Sequence, residues 1–407
     1  MKLLIYSHYF PPSVGGVETV VLSLASGLAE DRVAGDSSAF DVTLVTQTPA
    51  GNFRDSIFPF RIIRQPGLLQ LKHLIQEADI VHVAGPALVP LLHGLLARKP
   101  IVVEHHGFHA ICPTGQLFQE PEKVPCPGHF MAGRHAFCLR CRSHRDRSAS
   151  LFLWLLTFLR RFLCEHVAVN ITPTAWLATC LRLPRSETIH HGLVMSPELV
   201  HLPSIHSAPV LAFVGRLVTT KGVRLLLEAC QILSQQKRSF ELFVLGDGPE
   251  RASLEAFVEE RQLTSQVRFL GRVAQSEVSD LLTKADLVVV PSLGGEVFGM
   301  VPAENMLRGI PVLASNLGAF DEVLGDAGIT FKTGDSADLA RQIGRIVDDP
   351  SLSKRMRVTG RQRVLDRFPM SQMIDRHAEI YWRLASKKAD RKLAKHVDRD
   401  GFGSEDN

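Results

Sequence analysis

Apolar residues in this chain fall into short runs, and between the runs they recur at helical spacing. The runs at 2–7, 42–46, 80–83, 101–104 and 167–172 form one series. A second series follows at 210–214, 241–245, 267–270, 287–290 and 312–314. None alternates apolar with polar, which is the signature of strands covered on both faces of a parallel sheet. Val17, Val20, Val21, Leu24 and Leu28 share one helical face, as do Val223, Leu226, Leu227 and Cys230. Strand and helix alternating from end to end predict an α/β protein. It has two Rossmann-like, doubly wound parallel-sheet domains that face each other across a cleft.

The alternation breaks once. Residues 195–209 carry three prolines and no clear period, and read as a linker. The expected organisation is a first domain over 1–194, a second over 210–368, and a helix over 369–386. After it, residues 387–407 are charged and then rich in Gly, Ser and Asp, the composition of a solvated tail.

At 407 residues, two domains are the natural division. A net charge of +4, from 46 basic and 42 acidic residues, is too small to imply a nucleic-acid partner. The first residues lack the basic start and long apolar core of an export signal, and no run of about 18 apolar residues suggests a membrane span. The expectation is a cytoplasmic protein with reduced thiols among its seven cysteines.

Five motifs carry chemistry, all placed at strand ends. The 287–290 strand runs into Pro291-Ser-Leu-Gly-Gly-Glu296-Val-Phe298-Gly299-Met300, and the next helix carries Glu304. Two acceptor-only carboxylates in the crevice beyond a parallel sheet suit a ligand rich in hydroxyls, such as a sugar or a ribose. Gly215-Arg216 and Lys221-Gly222 follow the 210–214 strand and precede a helix. Two cations there suit a phosphate or pyrophosphate, while the plain alternative is a solvated basic turn. Gly246-Asp247-Gly248-Pro249 is either a tight turn or a close approach to a nucleotide. Gly15 and Gly16 sit between the first strand and first helix. Neither glycine pair forms G-x-G-x-x-G, so a nicotinamide dinucleotide is disfavoured. Last, Glu104-His105-His106-Gly107 closes the 101–104 strand.

Taken in order, these motifs resemble the glycosyltransferases of family 4, which have the GT-B fold and use nucleotide-sugar donors. The resemblance runs from Phe10 to about Leu384, and the pair Glu296 and Glu304 at eight-residue spacing is its most specific element. It implies roles residue by residue. Glu304 would bind the ribose. Glu296, with backbone amides near Phe298, Gly299 and Met300, would contact the transferred sugar. Arg216 and Lys221 would hold the diphosphate. Gly215, Gly246 and Gly248 would approach the donor, and Gly15 and Gly16 would let the first domain close on it. His106 would lie near the reacting sugar, although His105 and His109 flank it. The family retains anomeric configuration and needs no catalytic cation, so the two glutamates are not a glycosidase acid and nucleophile. The implied reaction moves a hexose-type sugar to a hydroxyl of a glycan, lipid-linked or small-molecule acceptor. Two readings compete with it: another GT-B enzyme such as an epimerase, and a non-catalytic sugar-nucleotide scaffold.

The first domain also carries Cys112, Cys126, Cys138 and Cys141, spaced C-x13-C-x11-C-x2-C. A C-x2-C pair with two further cysteines fits a structural zinc site, and reduced structural thiols are the alternative. Residues 134–161 then hold seven arginines and one acid, around the apolar stretch Leu151–Leu159. A core helix with a solvated arginine flank is the expectation for that stretch. The other reading is peripheral contact with anionic lipid.

Overall fold

The computed structural model describes residues 1–30, 40–141, 147–194, 208–273 and 275–400. The first domain comprises β1 (Lys2–Ser7), α1 (Gly16–Glu30), β2 (Asp41–Thr46), β3 (Arg61–Arg64), α2 (Leu68–Glu77), β4 (Ile80–Ala84), α3 (Leu88–Leu96) and β5 (Ile101–Glu104). It continues with β6 (Phe118–Gln119), β7 (Val124–Pro125), α4 (His135–Arg140), α5 (Arg147–His166), β8 (Val169–Thr172), α6 (Ala175–Leu181) and β9 (Ser186–Thr188). Seven of its strands form one parallel sheet in the order β3-β2-β1-β4-β5-β8-β9.

The second domain comprises β10 (Val210–Val214), α7 (Val223–Gln235), β11 (Glu241–Leu245), α8 (Arg251–Glu260), β12 (Val267–Gly271), α9 (Gln275–Leu282), β13 (Leu287–Val290) and α10 (Met300–Leu307). Then come β14 (Val312–Ser315), α11 (Gly318–Leu324), β15 (Ile329–Phe331), α12 (Ser336–Asp348) and α13 (Pro350–Arg367). Its six strands are parallel, in the order β12-β11-β10-β13-β14-β15.

Both sheets reverse direction of growth beside their first strand, between β1 and β4 and between β10 and β13. Crevices at such reversals, outside the carboxyl ends of the strands, are where doubly wound sheets hold ligands. Each of the ten expected strands is present. β3, β9 and β15 were not expected. They are edge strands of three or four residues with at most one buried position to betray them.

The last helix, α14 (Met370–Asp400), leaves the second domain and packs on α1 and β4 of the first. Met373, Ile380 and Tyr381 are buried in the same core as Leu3, Ile5, Val21 and Leu24. The crossing helix expected over 369–386 is thus in place. The expected tail is corrected in part, because 387–400 continues as helix. That stretch is rich in Lys, Arg and Asp and meets no Gly or Pro before Gly401, so nothing in it stops a helix already nucleated by packing. Residues 401–407, and the linker expected over 195–209 apart from 208 and 209, lie outside the described residues.

α5 also departs from expectation. Leu163 and Cys164 face the core, but Leu151, Phe152, Leu155, Phe158, Leu159 and Phe162 are all exposed. Their spacing puts them along one side of the helix. The stretch is therefore a core helix on one face only. Among the described residues, no helix is long and apolar enough to cross a membrane.

Candidate active site

The loop from Pro291 to Gly299 leaves β13 at the reversal point of the second sheet and leads into α10. Glu296 lies in it. One of its oxygens, Oε1, accepts from Lys221 Nζ at 2.6 Å and from Ser292 Oγ at 2.7 Å. The two ionic side chains are 28% and 12% exposed, so the pair is half-sheltered and still reachable from the cleft. Lys221 ends a single 3-10 turn, Thr219–Lys221, immediately before α7. Gly222 follows, and a Cβ there would sit 1.9 Å from the Pro291 carbonyl oxygen. The glycine is what lets the lysine turn and the glutamate loop touch.

Arg216 stands exposed at the start of the same turn. The 215–217 backbone is bonded to the neighbouring glycine turn: Leu217 N donates to Asp247 O at 3.0 Å, and Glu250 N to Leu217 O at 3.1 Å. A Cβ on Gly246 would lie 1.8 Å from Gly215 O, and one on Gly248 would lie 2.3 Å from Leu217 O. These two glycines are accounted for by backbone packed on backbone, which accords with the tight-turn reading.

Glu304 lies on α10, one turn past its start. Burial raises its carboxyl above the usual range, and Arg308 partly opposes this. Phe298 is not a wall of the cleft. It is 1% exposed and packs on His191 and Phe368, with centroids at 5.0 and 5.3 Å. Its burial fixes the backbone of the loop that carries Glu296. Gly299 has φ of 111° and faces Phe320 too closely to carry a Cβ. Across the cleft, Gly16 opens α1 and faces Met300, whose Cγ would stand 3.6 Å from a Cβ at that position. The two reversal points therefore face each other at Gly16 and Met300.

His106 is placed differently from a side chain open to the cleft. Its imidazole is 5% exposed, with Nε2 3.7 Å from Glu104 Oε2 and its ring 5.3 Å from that of His191. Burial pushes it down to about 3, against the pull of Glu104. Glu104 itself is fully buried and is a hub. His82 Nε2, His377 Nε2 and His106 Nε2 approach its Oε2 at 3.3, 3.6 and 3.7 Å, and His191 Nε2 approaches Oε1 at 3.5 Å. Burial works to raise this carboxyl, but the four imidazoles leave it well below the usual range. His377 Nδ1 lies 2.8 Å from the Met373 carbonyl and must donate to it. Among the described residues, the one group of three His, Cys, Asp or Glu donor atoms within 4.8 Å of one another is Glu104, His106 and His191.

The four cysteines share one cavity with Phe130 and His129. Burial and the neighbouring thiols push Cys138 up to about 12. Burial likewise pushes Cys141 up to about 11.

The domains are joined beside this site. Thr174, the N-cap of α6, accepts from Leu177 N and donates to the Val297 carbonyl at 2.8 Å. Glu322 of α11 accepts from Ala175 N, Trp176 N and His190 Nε2 at 2.9 to 3.0 Å. Gly295 N donates to Gln116 O at 2.7 Å. Sequence reading missed Glu104, His191, Thr174, Glu322 and Gln116. Only the Thr174-Ala-Trp cap pattern carries a local signal; the others are defined by partners more than a hundred residues away, or at the end of a strand that reads as wholly structural.

Comparison with known proteins places the chain. Residues 14–195 match the family model for glycosyltransferase family 4, and residues 201–363 match that for glycosyl transferases group 1. A 2-deoxystreptamine glucosyltransferase of Streptomyces kanamyceticus is 35% identical over 162 residues, 39% of this chain and 42% of that protein. A phosphatidyl-myo-inositol mannosyltransferase of Mycobacterium leprae is 30% identical over 255 residues, 60% of this chain and 65% of that protein. In both cases the shared stretch is less than two thirds of the relative's length. The structure of HepE from Anabaena in complex with UDP-glucose superposes with a TM-score of 0.71 at 18% identity, over 93% of this chain and 99% of that one. With two facing parallel-sheet domains, each matched by its own model, the chain belongs to glycosyltransferase family 4 and has the GT-B fold.

Proposed function

We propose that this protein is a retaining glycosyltransferase that moves a hexose-type sugar from a nucleotide-diphosphate sugar to an acceptor hydroxyl. The observation that carries the reading is the Lys221–Glu296 pair, a cation and a hydroxyl acceptor in contact at the reversal point of the second sheet. As the bond to the donor breaks, the leaving diphosphate gains negative charge. Lys221, Arg216 and the start of α7 provide positive charge there, in place before the reaction begins. Glu304, whose carboxyl is strained by burial, gains when ribose hydroxyls donate to it. Glu296 does the same for the sugar. HepE, crystallised with UDP-glucose, supports a donor of this class. In this scheme the acceptor attacks from the face the diphosphate leaves, and a phosphate oxygen takes its proton. His106 and His191 shape the wall near the sugar through Glu104, without needing to exchange a proton themselves.

The test is product analysis with UDP-, GDP- and ADP-sugars against hydroxyl acceptors. Transfer with the donor's anomeric configuration kept supports the reading. A product of inverted configuration contradicts the mechanism, and donor epimerised without transfer favours the epimerase.

The acceptor side has its own feature. α5 packs on α3, where Leu92 and Leu96 are exposed, and α3 packs on α2, where Leu68 and Leu69 are exposed. Apolar area this extensive on one domain, with arginines flanking α5, suits anionic lipid. The mannosyltransferase among the relatives acts, by its name, on a phosphatidyl-myo-inositol. Sedimentation with anionic but not neutral liposomes at low salt is the expected behaviour. Protein that stays in the supernatant in both cases removes this part of the proposal.

A further inference from the structure

The long connection from β5 to α5 contains little regular structure: two paired strands of two residues each, and the six-residue α4. Connections this long without secondary structure are uncommon in compact domains and need an anchor. The cysteines come from separate parts of it. Cys112 follows the turn after His106. Cys126 ends the β6–β7 ribbon, where its N donates to Leu117 O at 2.7 Å. Cys138 lies in α4 and Cys141 is its C-cap residue, one turn further on. All four side chains line a single cavity of about 10 Å³. No disulfide joins them.

We propose that Cys112, Cys126, Cys138 and Cys141 bind one zinc ion, which fixes this loop against the Pro291–Gly299 donor loop. Four thiolates around zinc sit at about 2.3 Å from the metal, hence about 3.8 Å from one another. No three of these sulfurs yet lie within 4.8 Å. Ligation therefore draws them together, and one adjustment is cheap. Cys141 Sγ donates to Phe118 O at 3.2 Å, a weak sulfur hydrogen bond that a metal–sulfur bond replaces. Each thiol gives up its proton on binding, leaving a site of two net negative charges. Arg134 and Arg140 stand at the two ends of α4, the helix that carries Cys138.

The consequence for the cleft follows from what lies between Cys112 and Cys126. Gln116 O accepts from Gly295 N at 2.7 Å, and Phe118 Cβ and Gln116 O would stand 3.1 and 3.2 Å from a Cβ on Gly294. Glu296 is the next residue of that loop. The ion thus holds one wall of the cleft directly beside the sugar-binding glutamate. Only this last step rests on the proposed function; the metal site does not.

The experiment uses the full chain, purified without chelators from zinc-supplemented medium. Elemental analysis is expected to give one zinc per chain, and replacement by cobalt the intense absorption of a tetrahedral thiolate site. The double variant C138S/C141S loses the metal, whereas C180S, outside the cluster, keeps it. Hydrogen exchange in 112–126 and in 290–298 rises together when zinc is stripped. Metal far below stoichiometry with four titratable thiols, or disulfides among these cysteines, overturns the site. A double variant that retains full zinc does the same. Loss of zinc with exchange in 290–298 unchanged overturns the clamp. Failure to find a sugar donor leaves each of these readings intact, so the two proposals fail separately.

Discussion

At the scale of single residues, the charge pattern of the cleft decides what each group can do. Lys221 and Glu296 are bonded in the free protein, so donor binding must compete with that pair. In the proposed reaction the diphosphate would take over the lysine and the sugar hydroxyls would take over the carboxylate. Glu304 has a folded pKa raised by burial. For such an acid, the folded state prefers the protonated form. Its contribution is fully present below the ordinary carboxylate range and is lost as pH rises through the folded value. Near neutral pH, Glu304→Gln should therefore leave the thermal midpoint unchanged or slightly raised, while donor binding weakens. A lowered midpoint with donor affinity intact would make Glu304 a structural residue.

Glu104 has the opposite sign. Its folded pKa is depressed, so it stabilises above the ordinary carboxylate range and that stability is lost as pH falls through the folded value. Leaving buried polar groups without their partner costs about 1–3 kcal/mol. Urea unfolding of Glu104→Gln should show a deficit of that order near neutral pH, narrowing in acid. Equal stability of variant and wild type at neutral pH would contradict the hub. Glu296, Lys221 and Glu304 were legible because their motifs are local. Glu104 was not, because a carboxylate at the end of a buried strand reads as a strand end until His82, His191 and His377 from other segments join His106 around it.

At the scale of elements, strand identity was legible wherever the strand is central, since four or five consecutive apolar residues have no other simple reading. Arg61–Arg64 and Ser186–Thr188 escaped because edge strands bury too little to leave a pattern. α5 shows the limit of pattern reading from the other side. Apolar residues around the whole helix predict burial, yet one side faces out, and only the packing of α3 and α4 against the other reveals which. α6 illustrates how one element serves both domains. Its cap residue Thr174 satisfies the helix start and reaches the donor loop at Val297. Thr174→Val should cost about 1 kcal/mol through the lost cap. It should also raise donor hydrolysis relative to transfer, because the closed cleft loses a tie beside Glu296. Unchanged partitioning between hydrolysis and transfer, with stability reduced, would confine Thr174 to capping.

At the scale of the whole molecule, the architecture followed from the repeated strand–helix alternation and the single proline-rich break. How the halves are held together did not. α14 is formally the end of the second domain, yet Ile380 and Tyr381 are buried in the first, where the Tyr381 hydroxyl meets His82 Nδ1 at 2.8 Å. Glu322, Thr174 and Gln116 then tie the facing surfaces. All three ties lie close to the Glu296 loop, so they hold the first domain against the residues proposed to bind the donor. The measurement that tests this most directly is isothermal titration of wild type and Lys221→Ala with UDP-, GDP- and ADP-sugars, with thermal midpoints recorded in parallel. One donor class should bind the wild type, stabilising it by about 2.7 kcal/mol at a hundredfold excess over Kd, and Lys221→Ala should lose most of that affinity while remaining folded. Wild-type protein that binds none of the three, or a Lys221→Ala variant that binds as tightly as wild type, would contradict the assignment of this cleft as a nucleotide-sugar site.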